Sequence, residues 1–356
     1  MIDFLIIGGG IAGVSAAARL SELGSVTLLE AEDALAYHAS GRSAALFEQN
    51  YGKPSTVELN KASRAYHEEA GVLSPRGLLL VGTAETADHF AADQAKMELS
   101  AITMAEALDL VPILDPAVVD RAAYDPDAWD IDTDKLVQGF AKTARANSGQ
   151  IVTKAPVTAI APSDGGWIVS AGGQDYVARQ IVNAAGAWVD QIAQMAGVAP
   201  LGVTPLRRSM ARISAPDGHD VSRWPMMFGP GEDWYAKPDA GALIVSPAEE
   251  DPVTPHDAYA DDMVLAEGLA RYEAHVTAPV TRMLSNWAGL RTFSPDRTLV
   301  LGPDPDVPGF IWCAGQGGYG MQSAPAASRL LADLVAGRAP ELDAATVAAL
   351  TPGRFR

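Results

Sequence analysis

Apolar positions along the chain fall in short runs punctuated by glycine. Phe4 to Ile7 is one such run, followed at once by GGGIAG and then VSAAARLSELG. In the latter stretch small and apolar residues recur at helical spacing until Gly24, a residue suited to the left-handed position after a helix. Val26 to Leu29 is a second apolar run, ending at Glu30. Strand, glycine-rich turn, helix and strand in that order predict the start of a parallel α/β sheet.

The middle is less regular. Lys135 to Ala146 predicts a helix, and IVTKAPVTAI, GWIVSAG and YVARQIVNAAG predict successive strands. From 204 to 250 the chain is strand-rich, with ARISAP, DWYAKP and ALIVSP set apart by Pro, Gly and Asp. Asp261 to Leu284 predicts one or two helices. FIWCAG, GQGGYG and SAPAASRLLADLVAG then return to strand, glycine turn and helix, closing at Gly337. The expected architecture is α/β. Segments 1–76, 130–203 and 285–356 form a discontinuous Rossmann-like dinucleotide domain of the glutathione-reductase type. Segments 77–129 and 204–284 form a smaller antiparallel-sheet domain that caps it.

The glycines carry the first chemistry. Gly8, Gly10 and Gly13 spell GxGxxG directly after a strand, with Ile11 and Ala12 opening the helix. A tight turn there brings backbone N–H groups and a helix N-terminus to a pyrophosphate, and a Cβ at Gly10 would stand in the phosphate's place. Glu30, with Ala31 after it, ends the second strand, where a carboxylate accepts from ribose hydroxyls and disfavours a 2′-phosphate. A structural turn alone accounts for the glycines but not for Glu30.

Composition narrows the partners. The 356 residues carry 44 acids against 26 bases, a net charge of -18, which repels phosphate backbones and argues against nucleic acid. No apolar run approaches a membrane span. The opening MIDFLII lacks the basic start of a signal peptide, so a cytoplasmic protein is expected. One cysteine, Cys313, leaves no internal disulfide, and the six histidines show no metal-ligand spacing. DPDAWDIDTD lacks the glycine and final glutamate of a calcium loop and reads as a cap before the Lys135 helix.

The segment AEDALAYHASGRSAALFEQNYG, with DIDTDKL, IVNAAGAWVDQIA, WAGLRTFSPDRTLVLGPDP and CAGQGGYGMQ in that order, resembles the D-amino-acid oxidase family of FAD enzymes, most closely its D-arginine dehydrogenase branch. The resemblance implies noncovalent FAD. It places Gly41, Arg42, Ser43 and Ala44 around the flavin and pyrophosphate, Val157 by its backbone at the adenine side, and Ala185, Gly186 and Trp188 beside the pyrophosphate. Gly317, Gly318, Tyr319, Gly320, Met321 and Gln322 fall against the pyrimidine end of the isoalloxazine. Trp188 also reads as packing between domains.

A substrate carboxylate beside a flavin needs cationic, preferably bidentate, partners. Arg208 in TPLRRSM and Arg291 in WAGLRTF lie in apolar surroundings, and the resemblance makes both carboxylate ligands; Arg207, one residue away on a strand, faces elsewhere. Tyr51 and Tyr235 match tyrosines that close over the substrate, although a core position serves a tyrosine equally well. The Gly318 carbonyl would accept from the substrate amine. Three positions depart from the branch: Leu46 stands for a pocket histidine, Leu78 for the glutamate that holds a guanidinium, and Glu48 for a hydroxyl side chain. With Met226 and Phe228 they predict a more apolar pocket in which Glu48 either faces solvent or points inward, where it would accept a cationic side chain from another direction. GALIVSP carries no lysine where sarcosine-oxidase-type relatives activate oxygen, so a quinone or carrier is favoured over O2 as acceptor. The implied reaction is oxidative deamination of D-amino acids. The alternatives are oxidation of glycine, sarcosine or a 2-hydroxy acid, and a flavin-binding sensor without turnover.

Overall fold

The computed structural model describes residues 1–356. One eight-stranded sheet holds β1 (Ile2–Ile7), β2 (Val26–Leu29), β9 (Gln150–Val152), β10 (Val157–Ser163), β11 (Gly166–Ala171), β12 (Gln174–Asn183), β19 (Val300–Pro303) and β20 (Phe310–Ala314). β1 runs parallel to both β2 and β12, and β12 parallel to β20, so the first and last thirds of the chain share this sheet.

A nine-stranded sheet holds β5 (Leu78–Gly82), β6 (Ser100–Ile102), β7 (Arg121–Asp125), β13 (Thr204–Ser214), β14 (Met226–Phe228), β15 (Tyr235–Asp239), β16 (Ala242–Ser246), β17 (Asp251–Pro252) and β18 (Met283–Phe293). A small third sheet joins β3 (Leu46–Phe47), β4 (Leu73–Pro75) and β8 (Trp129–Ile131). The helices are α1 (Ile11–Leu20), α2 (Pro54–Ala70), α3 (Ala87–Lys96), α4 (Met104–Leu110), α5 (Thr133–Ala146), α6 (Val189–Met195), α7 (Asp262–Glu273), α8 (Gly320–Ala336) and α9 (Ala344–Leu350).

Helix α1 is buried on nearly every side. Its run Ala16, Ala17, Ala18 lets it lie close to the sheet, α5 and α8 at once, where bulkier side chains would force these elements apart. The expected cap before the Lys135 helix is present: Asp132 accepts from the Lys135 N–H at 2.9 Å and starts α5.

Two boundaries differ from expectation. The helix expected over 261–284 ends at Glu273. Beyond it Val276, Thr277, Val280 and Thr281 are β-branched and Pro279 removes a donor. The Glu273 carboxylate takes the Val280 N–H at 2.6 Å, and Thr277 donates its N–H to the Ile113 carbonyl. Residues 285–293 belong to β18, which pairs antiparallel with β13 from Thr204 to Ile213. They therefore sit in the nine-stranded sheet, not on the dinucleotide side.

Candidate active site

The glycine turn between β1 and α1 is built by close approach. Gly8 adopts φ +110, and a Cβ there would strike the Ala184 carbonyl; a Cβ on Gly13 would strike the carbonyl of Gly8 itself. Gly10 leaves room over the first turn of α1, where Ser40 Oγ accepts from the Ile11 N–H at 3.0 Å. Glu30 is buried at the end of β2. Its Oε2 accepts from the Gly9 N–H at 2.6 Å and its Oε1 from the Glu32 N–H at 2.8 Å, which fixes the carboxylate over the turn.

A cavity of about 260 Å³ opens from this helix terminus to the nine-stranded sheet. Of the residues singled out by sequence, Gly10, Ile11, Ala12, Arg42, Ser43, Ala44, Leu46, Glu48, Tyr51, Leu78, Gly186, Arg208, Met226, Phe228, Tyr235, Arg291, Gly317, Gly318, Gly320 and Met321 line it. Gly8, Gly13, Glu30, Ala31, Gly41, Val157, Ala185, Trp188, Tyr319 and Gln322 do not. Several of those act from behind the wall: Gln322 Oε1 accepts the Glu48 N–H, and the Tyr319 ring packs edge-on against Tyr51 and Phe293. Trp188 packs on His38 and on an apolar cluster of Ala187, Ala258, Ala288 and Leu290, joining the two sides of the molecule.

The register of β13 and β18 brings the two arginines together. Leu206 pairs with Arg291 and Arg208 with Gly289, so both arginines project from one face on adjacent strands. Arg207 takes the other face, where it pairs with Asp251 at 2.7 Å. Arg208 is 5% exposed and donates from Nε to the Glu249 carbonyl at 3.0 Å. Arg291 donates from Nη2 to the Tyr51 hydroxyl at 2.8 Å, while its buried Nη1 has no hydrogen-bond partner. Its nearest acid is Glu250, 3.5 Å away and outside good hydrogen-bond geometry, so this buried donor is available to a carboxylate in the cavity.

The Tyr51 hydroxyl donates in turn to Glu232 Oε2 at 2.9 Å, and burial pushes its phenol above the ordinary range. Burial opposes the charge on Arg291, but the oxygens of Tyr51 and Glu232 outweigh it and hold the guanidinium protonated. Tyr235 lines the cavity from β15. Gly318 touches Arg291 directly: a Cβ there would lie 2.6 Å from Nε and closer still to Nη2. Gly318→Ala should therefore displace the guanidinium and raise the substrate KM about tenfold, in line with an overpacking strain of 1–3 kcal/mol. Steady-state kinetics with an unchanged KM would show that the contact is not needed.

Sequence reading missed the acids around the arginines. Glu250 Oε1 lies 3.5 Å from Arg208 Nη2, 3.5 Å from Arg291 Nη1 and 2.7 Å from Arg297 Nη2. Burial works against its ionisation, yet the three guanidinium groups hold its carboxyl below the usual range. Glu232 reaches Tyr51 from a tight turn in which Gly231 and Glu232 both have positive φ. The only sequence sign of these two acids is their place in turns next to strands that face the cavity.

Two further groups shape the cofactor side. Lys237, 8% exposed, donates to the carbonyls of Ala44 and Ala45 at 3.0 Å and pairs with Asp130 at 2.8 Å, tethering the capping sheet to the segment expected around the flavin. Arg42, expected at the cofactor, has its guanidinium engaged by Tyr37, Ala258, Ala288 and Asp257 and acts as a clamp between segments. Burial pushes the Cys313 thiol up to about 12, and it sits against the Ala12 carbonyl, unsuited to a thioether link.

The residues along the cavity wall suit FAD. Its wall offers the open terminus of α1, the bare backbone at Gly186 where a Cβ would meet nothing within 4 Å, and the Gly315 to Gly318 loop against which a flat ring can lie. Fold and site together define a dinucleotide-binding oxidoreductase with a sheet-capped substrate cavity. The family described as FAD dependent oxidoreductase (DAO) matches residues 3–334, and the chain belongs to it. It is 27% identical to mitochondrial dimethylglycine dehydrogenase of Rattus norvegicus over 99% of this chain, spanning 45% of that protein. It is 24% identical to glycine oxidase of Pseudomonas putida over 97% of both. Among solved structures, glycine oxidase from Geobacillus kaustophilus overlays with a TM-score of 0.83 at 22% identity, covering 97% of both chains. L-proline dehydrogenase from P. horikoshii overlays at 0.84 and 23% identity, covering 99% of this chain and 97% of the other. FAD is the cofactor of this family. The family match covers the chain, and these relatives do not single out the D-arginine dehydrogenase branch. No helix is long and apolar enough to cross a membrane.

Proposed function

We propose that the protein oxidises an α-amino acid at its Cα–N bond, with the D enantiomer as substrate. The observation that carries the reading is the pair Arg208 and Arg291 on one sheet face, with the Arg291 guanidinium against Gly318 and its Nη1 making no hydrogen bond. A substrate carboxylate pairs with these guanidinium groups, and Tyr51 and Tyr235 close over it and exclude water. The Gly318 carbonyl accepts from the amine and aims the Cα–H at the flavin side. Bound FAD, held noncovalently, supplies the two-electron acceptor for the hydride. The imino acid leaves and takes up water to give a 2-oxo acid and ammonia, and a quinone, carrier or O2 reoxidises the cofactor. Orientation supplies most of the rate, since no strong base stands at the α-carbon.

The names of the relatives favour a second reading, oxidation of glycine or an N-methylated glycine. Against it stands the apolar wall of Leu46, Leu78, Met226 and Phe228, which suits a substrate with a side chain. Anaerobic mixing of the holoenzyme with D/L amino-acid pairs, glycine, sarcosine and the matching 2-hydroxy acids decides between them. Loss of flavin absorbance should be fastest with a D-amino acid. Bleaching by sarcosine or a 2-hydroxy acid alone would replace the reading, and bleaching by none would remove it.

A further inference from the structure

We infer that Glu48 is a second recognition point of the substrate cavity, binding the cationic end group (ammonium or guanidinium) of a substrate side chain. The inference rests on the amino-acid reading above and adds the class of side chain. Glu48 is 3% exposed and lines the cavity. Its Oε1 accepts from the Asn50 N–H at 2.8 Å, and its buried Oε2 has no hydrogen-bond partner. Its own N–H donates to Gln322 Oε1 at 3.0 Å, so the backbone is anchored to α8 and the carboxyl stays inside.

The surroundings say what it binds. Asp125 on β7, whose charge bears on Glu48, pairs in register with Leu78 on β5, and Leu78 pairs with Met226 on β14. Glu48 thus stands where an apolar wall of Leu46, Leu78, Met97 and Met226 ends. Methylene groups suit that wall, and a cation at their tip suits the acid. Glu48 joins no ion pair within the chain. The charged groups that face it are the carboxylates of Asp125 and Asp127, which disfavour a further negative charge and favour an incoming positive one. Gln322 on α8 and the Asn50 N–H are its neutral neighbours. Burial, opposed by the Asn50 N–H and reinforced by the charge of Asp125, by a hydrogen bond that the protonated group shares with the Asp125 carboxyl and by the charge of Asp127, pushes its carboxyl up to about 8, so at neutral pH it carries a proton that an incoming cation would displace. Cation binding drives that proton off to the buffer and leaves a carboxylate paired with ammonium.

The test uses the FAD holoenzyme and ligands that lack an α-amine: 6-aminohexanoate and its shorter homologues, each against the alkanoate of equal length. Flavin absorbance shifts give the affinities. At least one ω-amino carboxylate should bind about tenfold tighter than its alkanoate. Glu48→Gln and Glu48→Leu should abolish that preference while alkanoate binding persists. Calorimetry in buffers of different ionisation enthalpy should show roughly one proton released per ω-amino ligand at pH 6.5, and none for alkanoates. Equal or weaker binding of every ω-amino ligand by the wild type, or a preference that survives Glu48→Gln, overturns the inference. If no carboxylate of either kind binds, the carboxylate reading of the arginines fails by itself. Butylamine then decides on Glu48: calorimetric binding to the wild type but not to Glu48→Gln supports it, and no binding overturns it.

Discussion

Arg291→Met lowers kcat/KM for the amino-acid substrate by two to three orders of magnitude, almost entirely through KM, while FAD stays bound. Arg291 is a buried guanidinium in the cavity whose Nη1 makes no hydrogen bond and only a 3.5 Å ion pair with Glu250, while its Nη2 is held by Tyr51. Losing one side of a buried charge-assisted pair costs about 2–5 kcal/mol, and each 1.4 kcal/mol is a factor of ten. The carboxylate is bound in ground state and transition state alike, so the loss falls on KM. Methionine preserves much of the side chain's length and its contact with Phe293, over which the guanidinium now sits at 5.3 Å. The partners left behind are not stranded: Tyr51 still donates to Glu232, and Glu250 still pairs with Arg297. The variant therefore keeps its fold, which the ratio of flavin to protein absorbance after purification checks. Kinetics equal to wild type in a flavin-loaded variant would take Arg291 out of the site.

The parts of this site that were legible in the sequence are those built locally. GxGxxG needs close approach between residues five apart, such as Gly8 and Gly13, so its spacing records its geometry. The Asp132 cap is likewise a three-residue relation. Arg208 and Arg291 could be named as candidates, but nothing in either stretch records that Leu206 faces Arg291 across two strands. That register depends on the hydrophobic faces of a sheet whose strands are distant in sequence. Glu232 and Glu250 are hidden for the same reason: Glu232 reaches Tyr51, and Glu250 the arginines, from turns whose direction is set by the sheet, not by neighbouring residues. Lys237 was overlooked because a lysine in a strand ordinarily marks the solvent face, whereas here two carbonyls and Asp130 balance its burial. The helix expected past Glu273 failed where apolar spacing was weighed above the β-branched residues and Pro279.

Glu48 also makes the stability of the protein depend on pH in a direction opposite to that of most carboxylates. Its carboxyl moves from an ordinary 4.5 to about 8 on folding. Below 4.5 the folded and unfolded chains both hold the proton, and the stabilising difference is fully present. As pH rises from 4.5 towards 8 the unfolded chain ionises and gains solvation while the folded one does not, so stability falls; above 8 both are ionised and the slope ends. A rise from 4.5 to about 8 sets a difference on the order of 5 kcal/mol across that window. Asp233 and Glu249, also raised by burial, push in the same direction, and His67, lowered by burial, pushes against them. All three are common to wild type and Glu48→Gln, so the comparison isolates Glu48. Chemical denaturation with saturating FAD at pH 5.5 and pH 8 should show the wild type losing several kcal/mol more than the glutamine variant. Parallel pH curves would mean that the Glu48 carboxyl ionises normally, with water reaching it, and the proton release expected on cation binding would disappear with them. A steeper wild-type curve that flattens when 6-aminohexanoate is added would tie the two effects to the same proton, because a bound ammonium compensates in the folded state the charge that burial otherwise forbids.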